Sequence, residues 1–160
     1  MSRKNSSVFG LVMLLSTVVV VDISLAQGTK AQSQAAAKEM SLYKRLGGYD
    51  AIAAVVDDFV PRLAGDPDLA QFFNGHSIDT KKRLRQHVVD LICELTGGPC
   101  MYVGRDLKTA HAGLGIAESH WQTSLKHFNA TLDKFSVPPK EMNELISLIS
   151  ALKPKIVEKP

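Results

Sequence analysis

The chain has 160 residues, of which 45% are hydrophobic and 22% are charged, and its formal net charge is +3. This length allows one globular domain, either alone or behind a removable leader. The mild positive charge, without a basic stripe interleaved with aromatic residues, argues against nucleic acid as a partner.

The first 26 residues predict a cleaved signal peptide. Arg3 and Lys4 precede an apolar run over residues 8–21, and Ser24-Leu25-Ala26 supplies the small residues that a signal peptidase recognises. The run is shorter than the roughly 20 residues needed to span a bilayer, so a retained anchor is the weaker alternative. Cleavage near Ala26 predicts a periplasmic or secreted protein with no stable membrane span.

A flexible linker is predicted over residues 27–40, which contain no large apolar side chain before Met40. The compact domain is predicted over residues 41–157. No stretch of it alternates convincingly with the period of a strand, whereas apolar residues recur at helical spacing throughout. We therefore predict an all-α domain with at least four substantial helices.

The first long helix of this domain is predicted after a turn at Gly47-Gly48. Its apolar stripe consists of Ile52, Val55, Val56, Phe59 and Leu63. Pro61 predicts a kink or an early end, because proline lacks a backbone donor and clashes with the preceding turn. A short helix from about Pro67 then carries Phe72 and Phe73 and stops at Asn74-Gly75.

A second long helix is predicted to start at a cap formed by Asp79 or Thr80. One side of it carries Leu84, His87, Val88, Leu91, Ile92 and Leu95, and Gly97-Gly98-Pro99 ends it. A polar loop leads to a short helical piece with His111. Two more long helices complete the domain, with apolar stripes at Trp121, Leu125, Phe128, Leu132 and Phe135 and at Met142, Leu145, Ile146, Ile149 and Leu152.

Cys93 and Cys100 are the two cysteines of the chain. An exported protein permits a disulfide, and a chain reversal at Gly97-Gly98-Pro99 brings the two residues within reach of each other. Two buried free thiols are the alternative, and the residues alone leave both outcomes open. The spacing is not that of a zinc site, which needs four ligands in close pairs.

Histidines are the candidates for chemistry, because the chain lacks Gly-x-Ser-x-Gly, a phosphate-binding glycine loop and His-Glu-x-x-His. His111 stands out, since it ends a short helical stretch and precedes Gly113 and Gly115, which let backbone pass close to a flat cofactor. His87 lies on or near the apolar face of the upstream helix. Two facing helices that each offer an imidazole across an apolar slot can hold an iron porphyrin. The remaining three are interpreted as loop or boundary residues: His76, His120 and His127.

An ordered set of motifs resembles the group 1 truncated haemoglobins. The set consists of Leu42-Tyr43 to Gly47-Gly48, Phe72-Phe73, Gly97-Gly98-Pro99, Tyr102-x-Gly104 and Lys108-x-x-His111-x-Gly113-x-Gly115-Ile116. The resemblance implies a two-over-two helical sandwich around haem b, with His111 as the proximal iron ligand. It covers roughly residues 41–157.

The same resemblance assigns roles on the opposite, distal side of the haem. It implies that Phe59 faces this side, that Phe73 wedges against the porphyrin, and that Leu84 and Val88 are distal neighbours. It places His87 where some cyanobacterial members have a second iron-binding histidine. The alternatives are that His87 contacts only a bound gas, or that it points to solvent near a haem propionate. A shift of one residue would give the polar role to Gln86.

Val60 departs from the family, since many members have a tyrosine there that donates to bound dioxygen. Loss of such a charge-assisted hydrogen bond, worth about 1–3 kcal/mol, speeds oxygen release roughly ten- to a hundredfold. Leu107, Ile116, Trp121 and Phe128 are expected to supply further apolar walls of the haem pocket. Lys81, Arg85, Arg105 and Lys108 are candidates to meet the propionates. The Nδ1–H of His111 is expected to donate to a backbone carbonyl of its own short helix.

The function favoured by the resemblance is reversible binding of dioxygen, nitric oxide or another diatomic gas by an exported haem protein. One alternative is a nitric oxide dioxygenase or peroxidase-like enzyme, which needs a separate reductase and is disfavoured by Val60. Another is an electron-transfer protein with both His87 and His111 on the iron. Cys-x-x-Cys-His is absent, so covalent haem attachment through that motif is not expected. A haem-free interaction module would leave Phe59, Phe73 and the His111 segment without a common purpose.

Overall fold

A computed structural model describes residues 40–159. The predicted signal peptide, residues 1–26, and nearly all of the predicted linker lie outside this range. The helices are α1 (Leu42–Arg45), α2 (Gly48–Gly65), α3 (Ile78–Leu95), α4 (Leu107–His111), α5 (Glu118–Lys134) and α6 (Pro139–Ser150), with short 3-10 helices at Ala70–Phe72 and Lys153–Lys155.

The all-α prediction is confirmed, because residues 40–159 contain no strand. One isolated bridge pairs Ala117 with Lys159. None of the helices in the described part of the chain is long and apolar enough to cross a membrane. Helix α1, which the sequence analysis did not predict, is capped by the Ser41 hydroxyl.

Helix α2 is the centre of the fold, since it packs against both α3 and α5. Its buried face carries Val55 and Val56, and it meets Val89 of α3 and Phe128 of α5 in one apolar cluster. Helices α1 and α6 close the cluster through Leu42 and Leu145, which are also buried. Burial of this apolar cluster stabilises the packing of the helices, at roughly 25 cal/mol for each Å² of apolar surface removed from water.

The early end at Pro61, one of two expected alternatives, and the predicted caps of the second long helix are wrong. Helix α2 does not end at Pro61 but continues to Gly65. Proline removes only the bond to the carbonyl of Asp57, and Arg62 Nε donates to Asp58 across the same turn at 2.5 Å. Helix α3 is capped by Ser77 and not by Asp79 or Thr80, since the Ser77 hydroxyl accepts from the Thr80 N–H at 3.2 Å.

A disulfide joins Cys93 and Cys100, whose Cα atoms are 5.7 Å apart. It resolves the alternatives that the sequence left open. The reversal between the two cysteines needs glycine, since a Cβ at Gly98 would come within 2.6 Å of Cys93 Sγ and 2.5 Å of the Tyr43 ring. The loop after α3 is therefore tied covalently to the end of that helix.

Asp58 joins α2 to α5. Its carboxylate accepts from Arg62 on its own helix, and from Lys134 and the Thr131 hydroxyl on α5, the last at 3.0 Å. Donation from Arg62 and then Lys134 holds the pKa of Asp58 well below its ordinary value. Thr131, one of the three donors to Asp58, is fully buried.

We expect this joint to make stability depend on pH. A carboxyl whose pKa is lowered by folding contributes stability that is complete above its unfolded pKa of about 4 and is lost as the pH falls. The urea midpoint of the wild type should therefore fall more steeply below about pH 4 than that of Asp58→Asn, whose amide does not titrate. Asp133→Asn, at an exposed position of α5, is the control and should follow the wild type. Parallel profiles for wild type and Asp58→Asn would contradict this account.

Candidate functional site

A cavity of about 630 Å³, called here the central cavity, lies among α2, α3, α4 and α5. Its volume is in the range of small-molecule and cofactor sites. Nine of the ten predicted cofactor-binding residues line it: Phe59, Phe73, Leu84, His87, Val88, Leu107, His111, Ile116 and Trp121. The walls are mainly apolar, so a large and mostly hydrophobic group suits the cavity.

Val60, the tenth, lies elsewhere. It lines an adjoining groove between α2 and α3, together with Pro61 and Gln86. Successive residues of a helix point about 100° apart, so a helix that turns Phe59 toward the cavity turns Val60 away from it. Gln86, the alternative polar candidate, donates to the Tyr49 hydroxyl and to Asp90, both at 2.9 Å, and does not line the central cavity.

His111 is held by a short helix with a strong cap. The Asp106 carboxylate accepts from the N–H groups of Lys108 and Thr109 at 3.0 and 3.3 Å, which starts α4. His111 Nδ1 lies 2.7 Å from the Leu107 carbonyl oxygen, one turn earlier. A carbonyl only accepts, so Nδ1 carries the proton and Nε2 is left with a free lone pair. The expected hydrogen bond to a carbonyl of the same helix is present.

His87 lines the central cavity from α3. Its ring packs edge-on against Tyr102, with ring centroids 5.9 Å apart. The Tyr102 hydroxyl donates to the Arg105 carbonyl at 2.8 Å, and burial raises the pKa of this tyrosine. The side chain of Tyr102 is therefore a neutral wall of the cavity, and the backbone of its loop is held by the Glu94 carboxylate, which accepts from the Tyr102 N–H at 2.8 Å.

His76 and His87 both line the cavity, and the Nδ1 atom of each is buried without a hydrogen-bond partner among residues 40–159. A buried unpaired polar atom costs about 1–3 kcal/mol, so these two nitrogens are a local cost to the folded protein. His76 was interpreted from the sequence as a loop residue, and nothing in its local pattern signals that its ring reaches the cavity.

The structure separates the four cationic side chains that were expected to meet the propionates. Of the four candidates only Arg105 lines the central cavity, and it is joined there by Arg83. Arg85 instead donates twice to Asp57, at 2.7 and 2.8 Å, and it lines the adjoining groove with Lys81. The missed signal was helical spacing, since Arg83 is four residues before His87 and shares its face.

His120, interpreted as a boundary residue, is half-buried and also lines the cavity. Its Nδ1 accepts from the Ala117 N–H at 3.0 Å, which caps α5. His127 lies outside the lining and pairs through Nε2 with Asp66 at 2.7 Å, a contact that lowers the pKa of Asp66. Both rings therefore have structural partners.

Comparison with known proteins yields a consistent set of matches. The profile of the bacterial-like globin family matches residues 41–158. Group 1 truncated haemoglobin GlbN of Mycolicibacterium paratuberculosis is 32% identical over 120 residues, which cover 75% of this chain and 86% of the relative. GlbN of Nostoc commune, another group 1 protein, is 31% identical over 74% of this chain and 98% of its own length.

The fold has matches among solved structures as well. Truncated haemoglobin from Tetrahymena pyriformis in its Fe(III) form superposes with a TM-score of 0.69 at 26% identity, covering 75% of this chain and 100% of that chain. The 2/2 haemoglobin of Synechococcus, solved with covalently attached haem, superposes with a TM-score of 0.63 at 23% identity and covers 91% of that chain. The predicted two-over-two globin architecture is thereby confirmed.

Proposed function

Because the chain belongs to the bacterial-like globin family, as a group 1 truncated haemoglobin, we propose that it is an exported haem b protein that reversibly binds dioxygen or another diatomic gas. Family membership itself implies haem and gas binding in general. The haem type, the iron ligand and the export are added by the proposal. The observation that carries it is the 2.7 Å contact of His111 Nδ1 with the Leu107 carbonyl, which leaves Nε2 free to bind iron.

The residues of the central cavity fit an iron porphyrin. Leu107, Ile116 and Trp121 give an apolar wall that excludes water, and each is at most 9% exposed. Arg83 and Arg105 supply guanidinium groups that suit two propionates, since arginine binds carboxylates with paired N–H donors. Bound in this cavity, haem iron supplies the reversible site for a diatomic gas.

On the distal side, His87 is the residue that we assign to the gas. Val60 lines the adjoining groove, and the neighbours Leu84 and Val88 are apolar, so none of the three donates a hydrogen bond. The His87 imidazole lines the cavity and is held at its edge by Tyr102. An N–H of this ring can donate to a diatomic ligand that carries partial negative charge.

The same position of His87 favours a second candidate function. If both His87 and His111 bound iron, the protein would suit electron transfer, with a separate reductase as a partner. The supporting observation is that both imidazoles line the one cavity. The two functions differ in whether the sixth position on the iron is open in the absence of gas.

The Cys93–Cys100 disulfide supports export, because disulfides persist in oxidising compartments. We expect cells that produce the full chain to accumulate it in the periplasmic or secreted fraction. Its measured mass should equal that of a chain that starts at Gln27. A membrane-bound product that keeps its first 26 residues would contradict this expectation and favour the retained anchor.

Replacement of the proposed iron ligand, His111→Ala, tests the carrying observation. Loss of an outer-shell partner typically lowers metal affinity about 10–100-fold, so loss of the ligand itself should remove most of the haem. The ratio of haem absorbance to protein absorbance measures the effect. His127→Gln, outside the cavity lining, is the control and should keep a wild-type ratio. Folded wild-type protein that stays colourless with added hemin would overturn the proposal.

The ferrous spectrum without added gas distinguishes the two functions. We expect a single broad visible band in the wild type, because the proposed function needs an open sixth position. Sharp, split bands that His87→Leu converts to one broad band would instead support the electron-transfer candidate. For the gas-binding function, His87→Leu should speed dioxygen release roughly tenfold, in line with one lost hydrogen bond. An unchanged release rate would remove His87 from the gas site.

A further inference from the structure

The C-terminal tail is bonded to the backbone that directly follows His111. The two carboxylate oxygens of Glu158 accept separately from the Gly113 N–H at 2.6 Å and the Gly115 N–H at 2.5 Å. The backbone N–H of Glu158 also donates to the Ile116 carbonyl at 2.8 Å. One residue near the end of the chain therefore makes three hydrogen bonds to residues 113–116.

The tail is itself anchored on both sides of Glu158. The Lys159 carbonyl accepts from the Glu118 N–H at 3.0 Å, and Lys153 pairs with the Glu118 carboxylate at 2.7 Å. The 3-10 helix Lys153–Lys155 packs directly against α4. These contacts fix the position of the Glu158 backbone, so its side chain reaches the glycine segment from a supported base.

The glycine segment cannot hold its own shape. Gly113 and Gly115 have φ values of +82° and +67°, in the left-handed region that glycine enters at little cost. Residues 112–116 are outside any helix, and Leu114 between the glycines is 45% exposed. Without an acceptor for their N–H groups, both glycines would be free to adopt many conformations.

Helix α4 cannot hold His111 alone either. It has five residues, little more than one turn, and such a helix has almost no stability of its own. Asp106 fixes its start and the Leu107 carbonyl orients the His111 ring, but the chain leaves the helix directly after His111. The path of residues 112–116 is therefore the second determinant of where the imidazole sits.

The Glu158 carboxylate is suited to this task because it is charged. Donation by the Gly113 and Gly115 N–H groups lowers the pKa of Glu158, so the group is an anion at neutral pH. Hydrogen bonds to an ionised acceptor are about twice as strong as those between neutral groups. A carboxylate also offers separate oxygens to the two donors, which an amide side chain cannot do.

We propose that Glu158 is a positioning residue that clamps Gly113 and Gly115 and thereby holds the His111 imidazole in the orientation for binding iron. The inference rests on the proposed function, since it takes His111 as the iron ligand. It assigns a role to Glu158, which lies outside the cavity lining. Loss of the clamp leaves haem able to bind but lets the imidazole move, so haem leaves faster.

The test replaces Glu158 with Gln in the full mature chain, because the substitution turns one of the two accepting oxygens into an NH2 group, which cannot accept from a glycine N–H. Two measurements are made on haem-loaded protein: the rate of haem transfer to excess apomyoglobin, and the iron–imidazole stretching band in the ferrous resonance Raman spectrum. We expect transfer roughly tenfold faster than in the wild type, the size of one such bond, and a shifted or broadened band.

Glu144→Gln is the matched control, since it removes the same charge from an exposed glutamate of α6 that pairs with Arg45. It should leave both the transfer rate and the band unchanged. Glu158→Asp keeps the charge and both oxygens on a shorter stem, and it should restore part of the wild-type behaviour.

Each outcome has one meaning. Wild-type rate and band in Glu158→Gln, with His111→Ala still losing haem, would overturn the clamp and leave the proposed function standing. Faster transfer with an unchanged band would show a role in general stability only and would also overturn it. Wild-type protein that takes up no haem would overturn the proposed function and the clamp together.

Discussion

The hydrogen bond between His111 Nδ1 and the Leu107 carbonyl is the interaction on which the rest of the site depends. At 2.7 Å it settles the tautomer of the ring, and the tautomer decides which nitrogen can bind a metal. It is an interaction within a helix of only five residues, so it exists only if that helix is stabilised from outside. Asp106 at the start and Glu158 beyond the end supply that stabilisation through the backbone N–H groups that the short helix and its glycines leave unpaired.

The two sides of the central cavity are held by different means. On the side of His87, the wall is an 18-residue helix whose buried face packs against α2, so ordinary apolar burial fixes it. On the other side, His111 itself lies on the five-residue α4, and charged side chains hold the backbone at both ends of that helix. The position of His87 therefore depends on many apolar contacts, whereas that of His111 depends on a few hydrogen bonds to charged side chains.

The sequence predicted what depends on local pattern. Apolar spacing located α2, α3, α5 and α6, and the ordered glycine and histidine motifs identified the family and nine of the residues that line the cavity. It failed where partners are distant in the chain. Arg85 pairs with Asp57, 28 residues away, and does not line the cavity, and Glu158 accepts from Gly113 across 45 residues. No rule of local spacing predicts such pairs. Arg83 is a different kind of miss, because counting one helical turn back from His87 would have found it.

The disulfide connects the predicted destination of the protein with the construction of its site. Cys93 lies in the buried cluster at the end of α3, and Cys100 stands two residues before Tyr102, whose ring contacts His87. The loop that carries Tyr102 has exposed apolar residues at Met101 and Val103 and little burial of its own. The covalent tie adds to the hydrogen bonds with Glu94 and the Arg105 carbonyl in keeping Tyr102 against the imidazole, and disulfides persist in oxidising compartments. The distal edge of the site therefore relies in part on a bond that reducing conditions would break, which connects the geometry of His87 and Tyr102 with the export that we propose.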